Sequence, residues 1–404
     1  MANQNKTPNN RRNKDIALDK FDVDVSHRSA KKKIPQKRKN KNPIKRFFEA
    51  LIPQSEDTGG EKARKTLLLF AICVLIGTVA FLGWQLKDQA DSGRTHIKIA
   101  SNAGVSFGSV PANYQTPDRI TNPNPIIGSS AGTAEPEFTD LTPVENSPLT
   151  ADFDVLLQQN PDTRGWIKIQ DTMLNSVIVQ SPENDNYYID HDFYGNESKS
   201  GEIFSSWRNK WDGTDDNIIL FAHNLQSGYG FAYVTHYFPD DNTYEPLSFY
   251  KVHPTIEFQT VNGESETYKV FGGIIANTED ERGEVFNYTT KTQFDGVDDF
   301  NNYILEIMDR SWFYTDVDIN YGDKLLTLST CYWPLGREID TRWVIFARKV
   351  RPGEDPSVDT TVATRNWDAK LFDYYYKVLE SRLGYKVEWG GRTWDTSKLL
   401  SYNG

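Results

Sequence analysis

One stretch of the chain is long, uncharged and mostly apolar, and beyond residue 150 apolar and polar positions alternate over short distances. Residues 66–86 carry no charge, and Lys65 and Lys87 flank them. As a helix, these 21 residues would reach about 31 Å, the thickness of the hydrocarbon core of a bilayer. A buried core helix seldom lacks charge for so long, so the run predicts a single transmembrane helix.

Beyond residue 150, short runs of β-branched and aromatic residues are separated by clusters of glycine, asparagine and aspartate. Runs of this kind predict β-strands. They cover residues 165–169, 176–180, 217–222, 255–259, 268–271, 324–331 and 342–347. Many short strands with turn signals between them favour a closed or nearly closed β-barrel.

Three segments instead show helical periodicity. Phe153, Leu156 and Leu157 predict a short helix at the start of the barrel domain, and the Asn160-Pro161 pair ends it. Residues 298–310 predict a helix inserted between two late strands. Residues 366–384 predict a C-terminal helix with an asparagine cap and a glycine stop. The fold is therefore predicted to be mainly β, with these three helices around the barrel.

Composition divides the chain into five segments. Residues 88–150 hold 7 of the 19 prolines without sustained apolar periodicity, which is typical of a flexible spacer. The predicted segments are a basic cytoplasmic tail (1–65), a transmembrane helix (66–86), an extracellular stalk (87–150), a barrel domain (151–350) and a C-terminal helical extension (351–404).

Charge predicts the orientation in the membrane. Residues 1–65 contain 18 Lys and Arg against 8 Asp and Glu, whereas the remainder contains 27 against 48. Basic flanks stay in the cytoplasm, so the N-terminus is predicted to lie inside and the barrel outside. The basic tail is predicted to contact anionic lipid headgroups. The excess of acidic residues in the predicted extracellular part argues against a nucleic-acid partner there.

Cysteine usage points to one candidate nucleophile. Cys73 lies inside the apolar run, so Cys331 has no partner for a disulfide. A free cysteine is either a small buried hydrophobe or a reactive thiol. Cys331 ends a predicted strand and Arg342 begins the next, so antiparallel pairing would bring a guanidinium beside the thiol and favour its anion. Arg337 is a rival within the intervening loop.

A thiol nucleophile also needs a group that carries protons. Among the histidines after the membrane segment, His223 is best placed, because it directly follows a predicted buried strand and starts a loop with Asn224. His191 is a weaker alternative. The remaining ones are His96 in the stalk, His236 in an aromatic run, and His253. The sequence contains no Cys/His metal spacing and no phosphate loop, so no metal or other cofactor is predicted.

These residues together resemble the signature of the sortases, the transpeptidases that attach proteins to peptidoglycan in Gram-positive bacteria. Class B members are similar over about residues 151–350. The similarity rests on the segments Thr327-Leu328-Ser329-Thr330-Cys331, Phe221-Ala222-His223-Asn224, Gly165-Trp166-Ile167-Lys168-Ile169, Asn186-Tyr187-Tyr188-Ile189 and Gly201-Glu202-Ile203-Phe204, together with Arg342. The resemblance explains neither the basic tail nor the segment after Val350.

By position, the resemblance implies that Cys331 is the nucleophile, His223 the general acid and base, and Arg342 the group that stabilises the oxyanion. It implies that substrate contacts lie at Ser329, Thr330, Asn224, Tyr188 and Ile189. The implied substrates are secreted proteins with a C-terminal sorting signal. The implied acceptor is an amine of a peptidoglycan precursor or a pilin.

Two other interpretations remain open from the residues alone. The protein could be a membrane-tethered cysteine peptidase or a transpeptidase that modifies the wall itself. It could instead be a non-catalytic surface adhesin in which Cys331 only fills space. Blocking the thiol would separate an enzyme from an adhesin.

Overall fold

A computed structural model describes residues 50–105, 149–182, 186–239 and 247–400. The basic tail up to residue 49 and most of the predicted stalk lie outside these ranges. The first long element is helix α1, Gly59–Asn102, and the chain divides into two compact units within it, after Thr78.

Helix α1 contains the predicted membrane segment. It is the one helix in the described ranges that is long and apolar enough to cross a bilayer, by length and composition alone. Its apolar side chains between residues 67 and 86 are largely exposed. The helix does not end at Leu86: residues 87–102, predicted as the start of the stalk, are helical. Ile99 and Ala100 are buried there, against the domain that follows.

Eight strands form a closed barrel with the order β1-β2-β3-β4-β9-β10-β6-β5. Their bounds are β1 Thr163–Lys168, β2 Asn175–Val179, β3 Ile203–Ser205, β4 Asn217–Phe221, β5 Thr255–Thr260, β6 Ser265–Asn277, β9 Leu325–Cys331 and β10 Thr341–Lys349. The predicted barrel is therefore confirmed, and each predicted strand run falls within or beside one of these strands. β3 was not predicted, because its three residues are too few to show a period.

Among the residues that the structure describes, four two-residue strands lie outside the barrel. They are β7 Phe313–Tyr314, β8 Ile319–Asn320, β11 Thr364–Arg365 and β12 Leu399–Leu400. β11 pairs with β7 and β12 pairs with β8, so the C-terminal extension is joined to the barrel domain by backbone hydrogen bonds.

In the described ranges, the further α-helices around the barrel are α2 Phe153–Gln159, α3 Ser248–Val252, α4 Val297–Arg310 and α5 Asp373–Leu383. Gly384 ends α5 in the left-handed conformation, with φ +76°, as the predicted glycine stop requires. The predicted cap at Asn366 is wrong, because α5 begins only at Asp373 and Phe372 holds the cap position. The Asn366 side chain donates instead to the Ser311 carbonyl at 2.7 Å.

Alternation along β10 separates the two sides of the barrel wall. Trp343 and Ile345 belong to the core cluster inside the barrel, whereas Val344 and Phe346 pack on the outer side with Phe300 and other residues of α4. A strand directs successive side chains to opposite faces. Arg342 therefore belongs to the outer side.

Candidate active site

Cys331 and Arg342 are direct partners in the sheet. Cys331 is the last residue of β9, Arg342 is the second residue of β10, and the antiparallel register pairs them. Opposed residues project from the same face with Cβ atoms about 5 Å apart. The thiol and the guanidinium thus begin from adjacent positions on the outer side of the barrel.

His223 reaches the same level from the other side of β9. Strand β4 runs parallel to β9, with Phe221 opposite Ser329, and the Ala222 amide still donates to the Ser329 carbonyl at 3.3 Å. β4 ends at Phe221, and His223 follows it by two residues, as Cys331 follows Ser329. Continuing the register by two residues places His223 beside Cys331, since neighbouring strands are about 4.8 Å apart. We call His223, in the turn just after β4, together with Cys331 on β9 and Arg342 on β10, the active-site row.

A tight turn fixes the backbone of His223. The Phe231 amide donates to the His223 carbonyl at 2.9 Å, and Asn224 and Gly230 form an isolated β-bridge. Gly230 has φ +62°, and a Cβ atom there would lie 2.4 Å from the His223 carbonyl oxygen. Asn224 Nδ2 also donates to the Cys331 carbonyl at 3.2 Å, so the turn is tied directly to the cysteine strand.

The imidazole of His223 has a defined partner. Its Nε2 lies 2.7 Å from the carbonyl oxygen of Ile189. A carbonyl oxygen only accepts, so Nε2 carries the hydrogen. While this bond persists, the neutral ring can take a further proton only at Nδ1.

The surroundings of Cys331 favour the thiol over the thiolate. Burial raises its pKa, the Arg342 guanidinium lowers it, and the Asp340 carboxylate raises it again, with a net increase. The expectation that the guanidinium favours the anion therefore describes only one of three effects. Because burial is the largest of them, the thiol needs a base to remove its proton.

Arg342 is oriented by two acceptors. Nη1 contacts the Asp340 carboxylate, and it donates to the Thr341 carbonyl at 3.1 Å. Among the described residues, Nε and Nη2 have no hydrogen-bond acceptor. These N–H groups are the ones that a substrate oxygen can use.

Ser329 and Thr330 are both buried, and their hydroxyl groups bond within the protein. Ser329 Oγ lies 2.8 Å from the hydroxyl of Tyr288, and Thr330 Oγ1 donates to the Ala222 carbonyl at 2.8 Å. Tyr288 was missed by the sequence analysis. It lies in the connection between β6 and α4, without any periodic pattern, and only the tertiary structure brings it beneath the active-site row.

The two loosest candidates for substrate contact are placed differently. Tyr188 is buried, and its hydroxyl donates to Asp162 and accepts from Asn160, so its side chain supports the fold behind the site. Ile189 is 42% exposed, and its carbonyl receives the His223 ring. Only Ile189 of this pair is therefore at the surface of the site.

The rival groups lie elsewhere. His191 stacks on the ring of Tyr187. His236 and His253 pack around Phe249, and burial lowers the pKa of both to about 4. Two further rivals, His96 on α1 and Arg337 over the ring of Trp333, are also outside the active-site row.

Metal coordination needs several ligating side chains at one place. Within the described ranges, no group of three or more His, Cys, Asp or Glu residues is arranged to hold an ion. The described geometry offers acyl-transfer chemistry by a thiol, an imidazole and a guanidinium.

Comparisons with known proteins agree with this chemistry. The family model described as Sortase domain matches residues 167–350. Sortase B of Listeria monocytogenes is 27% identical over 260 residues, which cover 64% of this chain and 87% of that protein. Sortase B of Staphylococcus aureus is 30% identical over 179 residues, which cover 44% of this chain and 67% of that protein.

Among solved structures, sortase B of Clostridium perfringens is similar, with 29% identity and a TM-score of 0.42 over 50% of this chain and 100% of that chain. The sequence matches define a cysteine transpeptidase that functions in cell-wall anchoring. The chain belongs to the sortase family, and within that family to class B.

Proposed function

We propose that the active-site row performs the transpeptidation, with Cys331 as nucleophile, His223 as general acid and base, and Arg342 as the oxyanion donor. The observation that carries this assignment is the pairing of Cys331 with Arg342 across β9 and β10, beside the turn after the parallel β4 that carries His223. Two strands of a closed barrel and a turn fixed by backbone hydrogen bonds hold the reacting groups, as efficient catalysis requires.

The first half-reaction cleaves the sorting signal of a secreted protein. His223 takes the thiol proton, and the sulfur attacks the carbonyl carbon of the scissile amide. The oxyanion then accepts from Arg342. When the C–N bond breaks, the imidazolium protonates the departing amine. The products are a thioester on Cys331 and the free C-terminal part of the signal.

The second half-reaction transfers the acyl group. An amine of a peptidoglycan precursor or of a pilin attacks the thioester carbonyl, and neutral His223 accepts the proton that the amine loses. The C–S bond breaks, a new amide forms, and the thiol is restored. Water in place of the amine would yield hydrolysis, so exclusion of water decides between transfer and peptidase activity.

The partly exposed groups around the row are the proposed substrate contacts. Ile189 lies on the His223 side, and Asn224 is held against the Cys331 carbonyl. Ser329 and Thr330 are buried beneath the strand end, and Tyr188 is buried behind it, so these three would support the contact surface from beneath.

The proposed location is the cell membrane. Residues 66–86 would span it once, with residues 1–65 inside and the barrel domain outside. The apolar length of α1 and the lysine and arginine excess before it support this arrangement. The basic tail would contact anionic lipid, residues 87–150 would connect the span to the barrel domain at 151–350, and residues 351–404 would extend that domain.

A ligation assay tests the proposed activity. The full chain in detergent micelles is incubated with peptides that contain Thr-Gly or Thr-Asn bonds, together with triglycine or hydroxylamine as the amine. We expect a ligated product by mass spectrometry, and no product from Cys331→Ala or His223→Ala. Absence of a thioester and of any product across the peptide set would overturn the proposal.

Thiol labelling tests the proposed orientation. In a Cys73→Ala background, a membrane-impermeant maleimide added to intact cells should modify Cys331. Permeabilised cells provide the control for reactivity. Labelling only after permeabilisation would place the barrel domain inside the cell and contradict the proposed topology.

A further inference from the structure

The last turns of α1 are packed into the catalytic unit. His96, Ile99, Ala100 and Ala103 are buried, and the Asp152 amide donates to the Ala103 carbonyl at 2.9 Å. The matched family domain begins only at residue 167, so the family comparison gives this segment no role.

One contact of this segment reaches the turn that carries His223. The ring of His96 stacks on the ring of Tyr229, with centroids 4.8 Å apart and planes at 14°. The Tyr229 hydroxyl donates to the Gly93 carbonyl at 3.5 Å. A Cβ atom on Gly93 would lie 3.1 Å from the Tyr229 ring, so a glycine at this position allows the close approach.

Tyr229 is adjacent to the residue that closes the His223 turn. Gly230 forms the bridge with Asn224, and the next amide, that of Phe231, donates to the His223 carbonyl. A displacement of the Tyr229 ring would therefore act on the backbone of His223 through two peptide units.

A second contact reaches the loop that accepts the His223 ring. His96 Nδ1 lies 3.8 Å from Glu202 Oε1, and both side chains are at least 96% buried. The Glu202 amide donates to the Tyr188 carbonyl at 2.9 Å, and the next carbonyl, that of Ile189, accepts from the His223 ring. His96 thus contacts Tyr229 on the His223 turn and Glu202, whose amide is bonded to the segment that carries the Ile189 carbonyl.

We propose that the end of α1, through Gly93 and His96, is a positioning element for the His223 imidazole. The inference rests on the proposed catalytic role of His223. The stacked Tyr229 ring holds the His223 turn, and the Glu202 loop holds the carbonyl that selects its tautomer. A displacement of about 1 Å in a reacting group can cost about 10²-fold in rate, so this support acts on catalysis without contacting substrate.

The test uses the full chain in detergent micelles with Cys73→Ala, so that Cys331 is the only thiol. Histidine labelled with ¹³C at Cε1 reports the titration of each ring by NMR, and His223→Ala identifies the His223 signal. Alkylation of Cys331 by iodoacetamide, measured from pH 5 to 10, reports the coupling of the thiol to that ring.

We expect Tyr229→Ala and His96→Ala to move the His223 signal. We also expect them to lower ligation about tenfold by reducing kcat. Tyr229→Phe keeps the stacked ring and should restore wild-type behaviour. Gly93→Ala adds a methyl group against Tyr229, should act in the same direction, and keeps the fold testable because alanine favours the helix.

Arg94→Ala is the matched control, since Arg94 lies on the same turn of α1 with 80% of its side chain exposed. It should leave the His223 signal and the ligation rate unchanged. An unchanged His223 signal in folded Tyr229→Ala and Gly93→Ala would overturn the inference. If His223→Ala itself ligates normally, the proposed catalytic role fails instead, while the NMR comparison still reports on α1.

Discussion

Arg342 stands directly opposite Cys331 across the β9–β10 ladder, and its charge acts on the thiol against the larger effect of burial. The chain leaves the sheet after Cys331 and returns to it at Thr341. Because the pairing is made by backbone hydrogen bonds, it fixes where the guanidinium starts. The side-chain contact with Asp340 then determines how that guanidinium is turned.

Two substitutions of Arg342 separate the effect of its positive charge on the thiol from its role as a hydrogen-bond donor to the oxyanion. Arg342→Gln should raise the pKa of the Cys331 thiol, because the one effect that lowers it is lost. Ligation should fall about 10²-fold with the loss of an oxyanion donor. Arg342→Lys keeps the charge, so the alkylation profile should stay near that of the wild type while ligation falls. A wild-type ligation rate in Arg342→Gln would contradict the assigned role.

Asp340 is predicted to raise the pKa of the Cys331 thiol and so to lower its reactivity. Asp340→Asn removes a negative charge that raises the pKa of Cys331, so the alkylation profile should move to lower pH. Asp280→Asn, on an exposed carboxylate of the nearby loop, serves as the control and should leave the profile in place. A shift of the alkylation profile to higher pH would contradict this prediction. It would mean that Asp340 acts on the thiol mainly by positioning the Arg342 guanidinium, and less by its own negative charge.

The buried hydroxyl pair beneath the row should contribute to stability. Tyr288→Phe leaves Ser329 Oγ without its partner at 2.8 Å, so we expect the free energy of unfolding to fall by about 1–2 kcal/mol. Ser329→Ala should cost a similar amount. Urea unfolding of both single variants and the double variant gives the coupling energy, which should be about 1 kcal/mol. Strict additivity would show that the bond contributes nothing.

Gly201 should be intolerant of a side chain. It has φ +56°, and a Cβ atom would lie 2.5 Å from the Tyr188 carbonyl oxygen and 2.7 Å from that of Ile189. Gly201→Ala should therefore displace the acceptor of the His223 ring and reduce both stability and ligation. Gly213 has φ +84° with open space around it, so Gly213→Ala meets only the left-handed strain of about 1–2 kcal/mol. Equal ligation rates in Gly201→Ala and Gly213→Ala would contradict the prediction that a side chain at residue 201 displaces the Ile189 carbonyl.

An ion-pair network at the start of the C-terminal extension predicts a pH dependence of stability. Hydrogen bonds from Arg348 and Lys269 hold the pKa of Glu354 well below its usual range. A depressed folded pKa contributes stability above the unfolded value near 4.5 and loses it as the pH falls.

Glu354→Gln should therefore lower the free energy of unfolding at pH 7 by about 2 kcal/mol. The difference from the wild type should shrink below about pH 4.5. Urea unfolding between pH 3 and 7 measures it, with Glu281→Gln on an exposed side chain as the control. A difference that is constant with pH would exclude the ionised network as its source.

The sequence predicted the regular elements because their signals are local. Residues 324–331 and 342–347 have strand composition, residues 298–310 have a helical period, and Gly384 marks a helix stop. Local signals failed where tertiary contacts decide. Residues 87–102 have a polar composition, yet they are helical and partly buried against the barrel domain. Asn366 bonds across to Ser311 instead of capping α5.

The sequence by itself determined the barrel, the lone Cys331 at a strand end and the pairing with Arg342, because a hairpin links two strands that follow each other along the chain. Only the tertiary structure decided that the parallel β4 brings His223 to the same level, that Tyr288 lies under Ser329, and that burial outweighs the guanidinium at the thiol. The first two relations join residues more than forty positions apart, and the third depends on burial by the whole fold. Composition and periodicity are local properties of the sequence, so they do not predict the tertiary packing that determines these distances and the burial of the thiol.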